Sequence, residues 1–419
     1  MNVALTADLL ITGISQLVTA EGPGPKHGAS MRSLKTVEGA AIACAAGKVI
    51  WFGPRSEWTG NVTKVYDVGG RAVVPGLIDP HTHAVWAGDR LADFDARTSG
   101  ATYEQILIAG GGIRSTIRAT AAASREELVT NALPRIEALL RSGATTIEVK
   151  SGYGFTVEAE LAMLEAIQCV ADRTRATIVP TLLIHIPPAA LANRKSYLDQ
   201  VSSELIPEVA RRKLASSVDI FVEKEAWHPK EARVVLECAL NRGLAIKLHT
   251  EQFHRIGGLE LGLQLGALSC DHLEACNDAQ FKAFAPDPLL LRKTVPIATI
   301  LPGVSLHLGI PTARGRKMID AGAAVAVGTD LNPGSSPLYS MAAALALAVR
   351  LNGLTAQEAL VAGTANAACA VGRNDLGRIE VSGAADFLVL QGSDWRELVY
   401  TLGANPVREV WKAAERLVV

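Results

Sequence analysis

Through the middle of the chain, short apolar, β-branched runs alternate with stretches of helical pattern. Eight runs read as strands: 73–83, 145–151, 177–185, 218–223, 244–251, 267–272, 295–302 and 323–332. Helices are expected in the gaps, at 125–141, 157–173, 230–242 and 311–321. Apolar strands joined by helical crossovers make a parallel sheet covered by helices. Eight such units predict an α/β architecture closed into a (β/α)8 TIM-type barrel, with a doubly wound open sheet as the alternative. The two ends of the chain differ from this middle. From residue 5 to 68 the pattern is one of short strands and turns, at 9–12, 40–43 and 48–52, punctuated by Gly47, Gly53 and Pro54. The same character returns at 385–390 and 408–411. The expected organisation is a small β-sandwich domain built from 1–68 and 375–419, and a barrel over 69–374.

Composition narrows the picture. A chain of 419 residues, 49% hydrophobic, is long enough for a barrel and a satellite domain. Lys+Arg 41 against Asp+Glu 42 leaves a net charge of -1, which argues against a nucleic-acid partner. Any anion specificity must then come from a few placed residues. Six scattered cysteines without a CxxC pair read as small apolar residues in a reducing compartment. The N-terminal MNVALTADLL has no basic region and is interrupted by Asp8, so no signal peptide is expected. The most apolar stretch, 341–349, is too short to span a bilayer. These features predict a soluble, cytoplasmic protein with a small-molecule substrate and no membrane partner.

Barrels of this type carry their chemistry at the C-terminal ends of the strands. The first candidate strand ends in Asp79, Pro80, His81, Thr82 and His83, the third at His185, and the fifth in His249, Thr250, Glu251 and Gln252. The sixth ends in Asp271 and His272, and the eighth in Asp330, Leu331 and Asn332. Five of nine histidines thus fall on one rim, too many for chance placement. His81 and His83, two apart on a strand, leave on one face. With His249 and Asp330 they form a set of three imidazoles and one carboxylate, which suits one divalent ion, Zn2+ or Fe2+. Such an ion acidifies water towards a pKa of about 7 and polarises a carbonyl. Asp330 is placed to take the water's proton and pass it to a leaving nitrogen, and His272 to orient the water or steady the oxyanion. A second metal would need a bridging group such as Lys224 near the end of the fourth strand, and an exposed lysine is the expected reading there. Lys150, on the second strand, is expected to support the rim.

In this order the motifs resemble the amidohydrolase superfamily, and within it the imidazolonepropionase family. The resemblance is carried by PGLIDPHTH at 75–83 and by the segments 79–90, 110–113 and 269–274. It is carried most specifically by EVKSGYG at 148–154, KLHTEQFHRIGG at 247–258 and TDLNPGSSP at 329–337. It implies hydrolysis of 4-imidazolone-5-propanoate to N-formimidoyl-L-glutamate, with His81, His83, His249 and Asp330 as ligands. It also implies that Arg90, Tyr103, Tyr153, His185, Asn332, Gly334 and Ser335 hold substrate, and that the chain forms a homodimer. The guanidinium fork of Arg90 suits a propanoate carboxylate. At 252, where some members have a glutamate credited with activating water, this chain has Gln252. An amide cannot accept a proton, so any base role falls to Asp330 or His272. Residues 284–293 look like an insertion, and Leu306, His307 and Leu308 stand where an aromatic pair is expected. The competing expectation is an aminohydrolase, a deaminase acting on a purine, pyrimidine or triazine ring. The absence of a strand-five glutamate counts against it.

Overall fold

Two β-sheets organise the computed structural model, which describes residues 5–20, 22–188, 191–286 and 295–417. Four strands come first: β1 (Thr6–Thr19), β2 (Lys35–Ala45), β3 (Lys48–Pro54) and β4 (Asn61–Pro75). Eight follow: β5 (Leu77–Asp79), β6 (Ala144–Lys150), β7 (Thr177–Ile184), β8 (Ser217–Val222), β9 (Ala245–Thr250), β10 (Ser269–His272), β11 (Ile297–Ile300) and β12 (Val325–Val327). Three end the described chain: β13 (Phe387–Leu390), β14 (Val407–Lys412) and β15 (Glu415–Leu417).

Strands β5 to β12 pair in parallel and in sequence order. Past the last ladder the ring is drawn together by a bridge between Thr82 and Leu331. There Asp330 N donates to His81 O at 3.0 Å and His83 N to Leu331 O at 2.9 Å. This is the expected (β/α)8 barrel. Two of its helices fall where their caps put them. Ser124 and Glu127 form a capping box ahead of Arg125–Arg141, and Thr156 caps Val157–Arg173. The helix expected at 311–321 is shorter, Gly315–Asp320, because the chain leaving Gly309 remains irregular up to the helix cap at Arg314. The expected insertion at 284–293 falls largely outside the described residues.

The terminal segments form one mixed sheet, in the order β15-β14-β13-β4-β1-β2-β3. Its N- and C-terminal strands enclose a common apolar core that includes Ile11, Leu17, Ile42, Val73, Phe387 and Trp411. The run expected as a single strand over 73–83 is divided. Its first residues finish β4, with Val73 paired to Val389 and Pro75 to Phe387, and only then does β5 enter the barrel. The domain boundary expected at residue 68 therefore lies inside β4. Gly76 makes the crossing, where an added Cβ would sit 2.4 Å from Thr145 Oγ1.

Side chains alternate across a strand, and the barrel strands use that alternation sharply. Ile147, Val149, Val218, Ile220, Ile246 and Leu248 join the main apolar cluster. The intervening Glu148, Lys150, Asp219, Lys247 and Asp271 are fully buried and contact one another inside the ring. The lumen is thus charged rather than filled with branched apolar layers.

Candidate metal centre and active site

At the C-terminal end of that lumen, His81 and His83 follow β5, His249 lies on β9, His272 ends β10, and Asp330 follows β12. All five are at most 3% exposed. Asp330 Oδ1 lies 3.2 Å from His83 Nε2 and 3.5 Å from His81 Nε2, and His249 Nε2 lies 3.4 Å from His83 Nε2. Within two overlapping groups, His81 with His83 and His249, and His81 with His272 and Asp330, the ligand atoms lie within 4.8 Å of one another.

The tautomers follow from the partners behind the rings. His81 Nδ1 lies 2.6 Å from Asp271 Oδ2, and His249 Nδ1 lies 3.0 Å from Asp219 Oδ2. Asp271 holds the Nδ1 proton of His81 and leaves its Nε2 lone pair facing the centre, while Asp219 stands behind the His249 ring. His81 Nε2 and Asp330 Oδ1 are buried without a hydrogen-bond partner. Converging lone pairs without protons between them repel, and a cation relieves that repulsion. The residues fit a metal ion.

The acid–base setting agrees. Burial pushes the Asp330 carboxyl up, but the neighbouring imidazoles of His83, His272 and His249 outweigh it and keep it below its usual range. Burial, then Lys150 and the other imidazoles, holds His81 well below the usual histidine value, so it is neutral and able to ligate. Burial lowers His272, but the carboxylates of Glu274, 3.7 Å away, Asp330 and Asp271 together outweigh it and raise the imidazole. His272 and Asp330 both adopt left-handed backbone, φ 82° and 51°. Strain of this kind, about 1–3 kcal/mol per residue, is common where a side chain must be aimed.

The residues expected to hold substrate are in part gathered here. His185 stacks on His83 with ring centroids 5.6 Å apart, and Tyr153 lies 5.5 Å from His185. The loop carrying Tyr153 is clamped by buried Glu160, which accepts from Gly152 N at 2.9 Å and Gly154 N at 2.6 Å. Arg90 precedes three helices, α1 (Leu91–Thr98), α2 (Tyr103–Ile108) and α3 (Ile113–Ala122). Its Nε donates to Asp93, which also accepts from Gly112 N at 2.9 Å. Arg90 Nη1 lies 3.0 Å from where a Cβ at Gly334 would sit, so glycine there leaves room for the guanidinium. Asn332 has its amide fully engaged within its loop. It accepts from Gly334 N and Ser335 N at 2.8 Å and donates to Asp330 O at 2.7 Å and Ser335 Oγ at 2.9 Å. Tyr103 begins α2, and its side chain lies outside the described residues. Gln252 is buried at the β9 end. Lys224 is exposed, as expected. His307 stacks on Phe94 and lies 2.9 Å from Arg97, tying the seventh unit to α1.

Lys150 departs from expectation. It is fully buried in the lumen, not at the rim, 2.8 Å from Asp219 and 2.6 Å from Glu148. Asp219, Lys247 and Glu148 went unread in the sequence. Their signal was the polar pairs at alternate positions within apolar strands, Glu148 with Lys150 on β6, Ser217 with Asp219 on β8 and Lys247 with His249 on β9.

Residues 72–417 match the amidohydrolase family. Among the most similar relatives, the imidazolonepropionase of Deinococcus deserti is 56% identical over 410 residues, 98% of this chain and 100% of the relative. That of Deinococcus radiodurans is 55% identical over 98% of this chain and 100% of its own length. Among solved structures, a zinc-bound adenosine deaminase from Xanthomonas campestris aligns with a TM-score of 0.73. It is 17% identical, over 99% of this chain and 93% of that one, a likeness of fold alone.

Proposed function

The chain belongs to the imidazolonepropionase family of amidohydrolases, and from that premise we propose how its residues share the reaction. It hydrolyses the ring amide of 4-imidazolone-5-propanoate to N-formimidoyl-L-glutamate. His81, His83, His249 and Asp330 hold one metal ion, and this assignment is carried by the convergence of their ligand atoms, with His81 Nε2 and Asp330 Oδ1 buried without a hydrogen-bond partner. When bound, the ion supplies an acidified water and a Lewis acid for the ring carbonyl. Asp330, kept ionised, accepts the water's proton as the oxygen adds to the carbonyl carbon. The ring C–N bond then breaks, and the proton passes from Asp330 to the departing nitrogen. His272, steadied by Glu274, orients the water and stabilises the developing oxyanion. Gln252 contributes a hydrogen bond but no proton acceptance. Arg90 pairs with the propanoate arm, and Tyr103, Tyr153 and His185 line the ring site, with Asn332, Gly334 and Ser335 forming the loop beside it.

Three imidazoles and one carboxylate suit Zn2+ and Fe2+ alike, and elemental analysis of the purified protein separates them. Among the described residues no helix is long and apolar enough to cross a membrane. A cytoplasmic location is supported by the scattered cysteines, and the homodimer by the family resemblance, with light scattering as its check. The deciding experiment supplies freshly made 4-imidazolone-5-propanoate. Loss of its ultraviolet absorbance with appearance of N-formimidoyl-L-glutamate is expected. Ammonia release from a purine, pyrimidine or triazine, without turnover of the imidazolone, would replace this reading with the deaminase.

A further inference from the structure

Inside the barrel, below the histidines, lies a cluster that the reaction itself does not use. Lys150 and Lys247 are both fully buried, as are Glu148, Asp219 and Asp271. Lys150 Nζ lies 2.6 Å from Glu148 Oε1, 2.8 Å from Asp219 Oδ2 and 4.0 Å from Asp271 Oδ2. Lys247 Nζ donates to Pro80 O at 2.8 Å and lies 3.4 Å from Glu148 and 3.7 Å from Asp271. Asp219 also fixes the backbone of β9, accepting from His249 N at 3.1 Å.

Asp219 and Asp271 are also the carboxylates behind His249 and His81. Left to themselves, three carboxylates packed this closely in a dry interior repel one another and turn away or take up protons. A buried ion-pair cluster gains little stability over apolar residues of equal volume, so stability alone gives no reason to keep lysine there. Position does, because Lys150 hydrogen-bonds Asp219 and its charge also lies within ion-pair range of Asp271, at 4.0 Å, so one ammonium serves both carboxylates behind the histidines. We propose that Lys150 is a positioning residue for the metal centre, bridging Asp219 and Asp271 so that His249 and His81 both present Nε2 at a fixed separation. This rests on the reading that those two histidines ligate the ion.

The test measures Zn2+ affinity of the full chain, stripped and reloaded, by competition with a chelator. Lys150→Met, Asp219→Asn and Asp271→Asn should each weaken Zn2+ binding about 10–100-fold, the usual range for groups that orient ligands. Because Lys150 acts through the two carboxylates, adding Lys150→Met to the Asp219→Asn/Asp271→Asn double variant should cost less than about twofold more. The triple variant removes the charges together, so it also answers the question if Lys150→Met alone fails to fold. In Co2+-loaded protein, a positioning role shifts the visible absorption bands, whereas a merely structural role leaves them in place. Wild-type Zn2+ affinity in folded Lys150→Met, or an undiminished loss on the double background, would overturn the proposal. His81→Ala and His249→Ala separate the two levels. If either retains one tightly held Zn2+, the ligand reading fails. If both lose it while Lys150→Met binds normally, this inference alone fails.

Discussion

The molecule has two interiors walled by β-strands, and they are filled in opposite ways. Between the strands of the terminal sheet the filling is apolar, with Phe387 stacked on Trp411 at 5.4 Å among Ile11, Leu17 and Ile42. Inside the barrel it is two ammonium groups, three carboxylates and the histidines they orient. Each large apolar side chain in the first contributes about 1.5–3 kcal/mol by leaving water. Charges in the second contribute little net stability, because desolvation offsets most of their attraction. The difference teaches where stability and function reside. Helices packed on the outside of the barrel and the terminal core hold the chain folded, which leaves the lumen free to hold reactive groups in place.

Substitutions in each interior test that division. The largest effect is expected for Asp330→Ala, which should lower turnover by on the order of a thousandfold or more. Metal content should fall with it, and the melting temperature should match that of the metal-stripped wild type, as steady-state assays, elemental analysis and calorimetry would show. Phe387→Ala should do the reverse, removing about 3–5 kcal/mol of stability in urea unfolding with kcat of the folded enzyme unchanged. A drop in kcat without loss of stability would break the comparison. Arg90→Ala should raise KM about 10–100-fold, with kcat nearly constant, since it removes binding common to substrate and transition state. An unchanged KM would move the carboxylate site elsewhere.

The smallest effect concerns the seam between the interiors, where Glu358 accepts from Arg316 at 2.7 Å and from Arg32 at 2.9 Å. Burial raises the Glu358 carboxyl, but Arg316, Thr355 and Arg32 outweigh it and bring it down to about 2. A depressed carboxylate stabilises the fold above its unfolded value near 4.5, and that contribution disappears as pH falls through about 2. Glu358→Gln should therefore be less stable than wild type at neutral pH by on the order of 1 kcal/mol, solvent around exposed Arg32 screening the pair. The gap between the two melting curves should narrow as the buffer is taken from pH 5 towards pH 2. A gap that holds constant would show that the carboxylate's charge is not what joins the seam.

Features set by neighbouring residues were readable in the sequence. The helices after Ser124 and Thr156 begin where their caps predict, and the ligand histidines stand out because each closes a strand. Features set by distant partners were not. Nothing local shows that Val73 pairs with Val389, so 73–83 looked continuous. Asp219 is the register partner of Lys247, and Asp271 of His249. Without that register, Lys150 looked like a support for the rim and its carboxylates like ordinary polar residues.

The strand order of the terminal sheet also bears on how the protein is made. The edge of β4 that receives β13 is completed only after roughly 300 further residues have been added. At ribosomal speeds of about 5–20 residues per second, Val73 and Val74 offer an open edge for some tens of seconds. An unpaired apolar edge invites strands from other chains, so this interval is when a nascent copy is most exposed to misassembly.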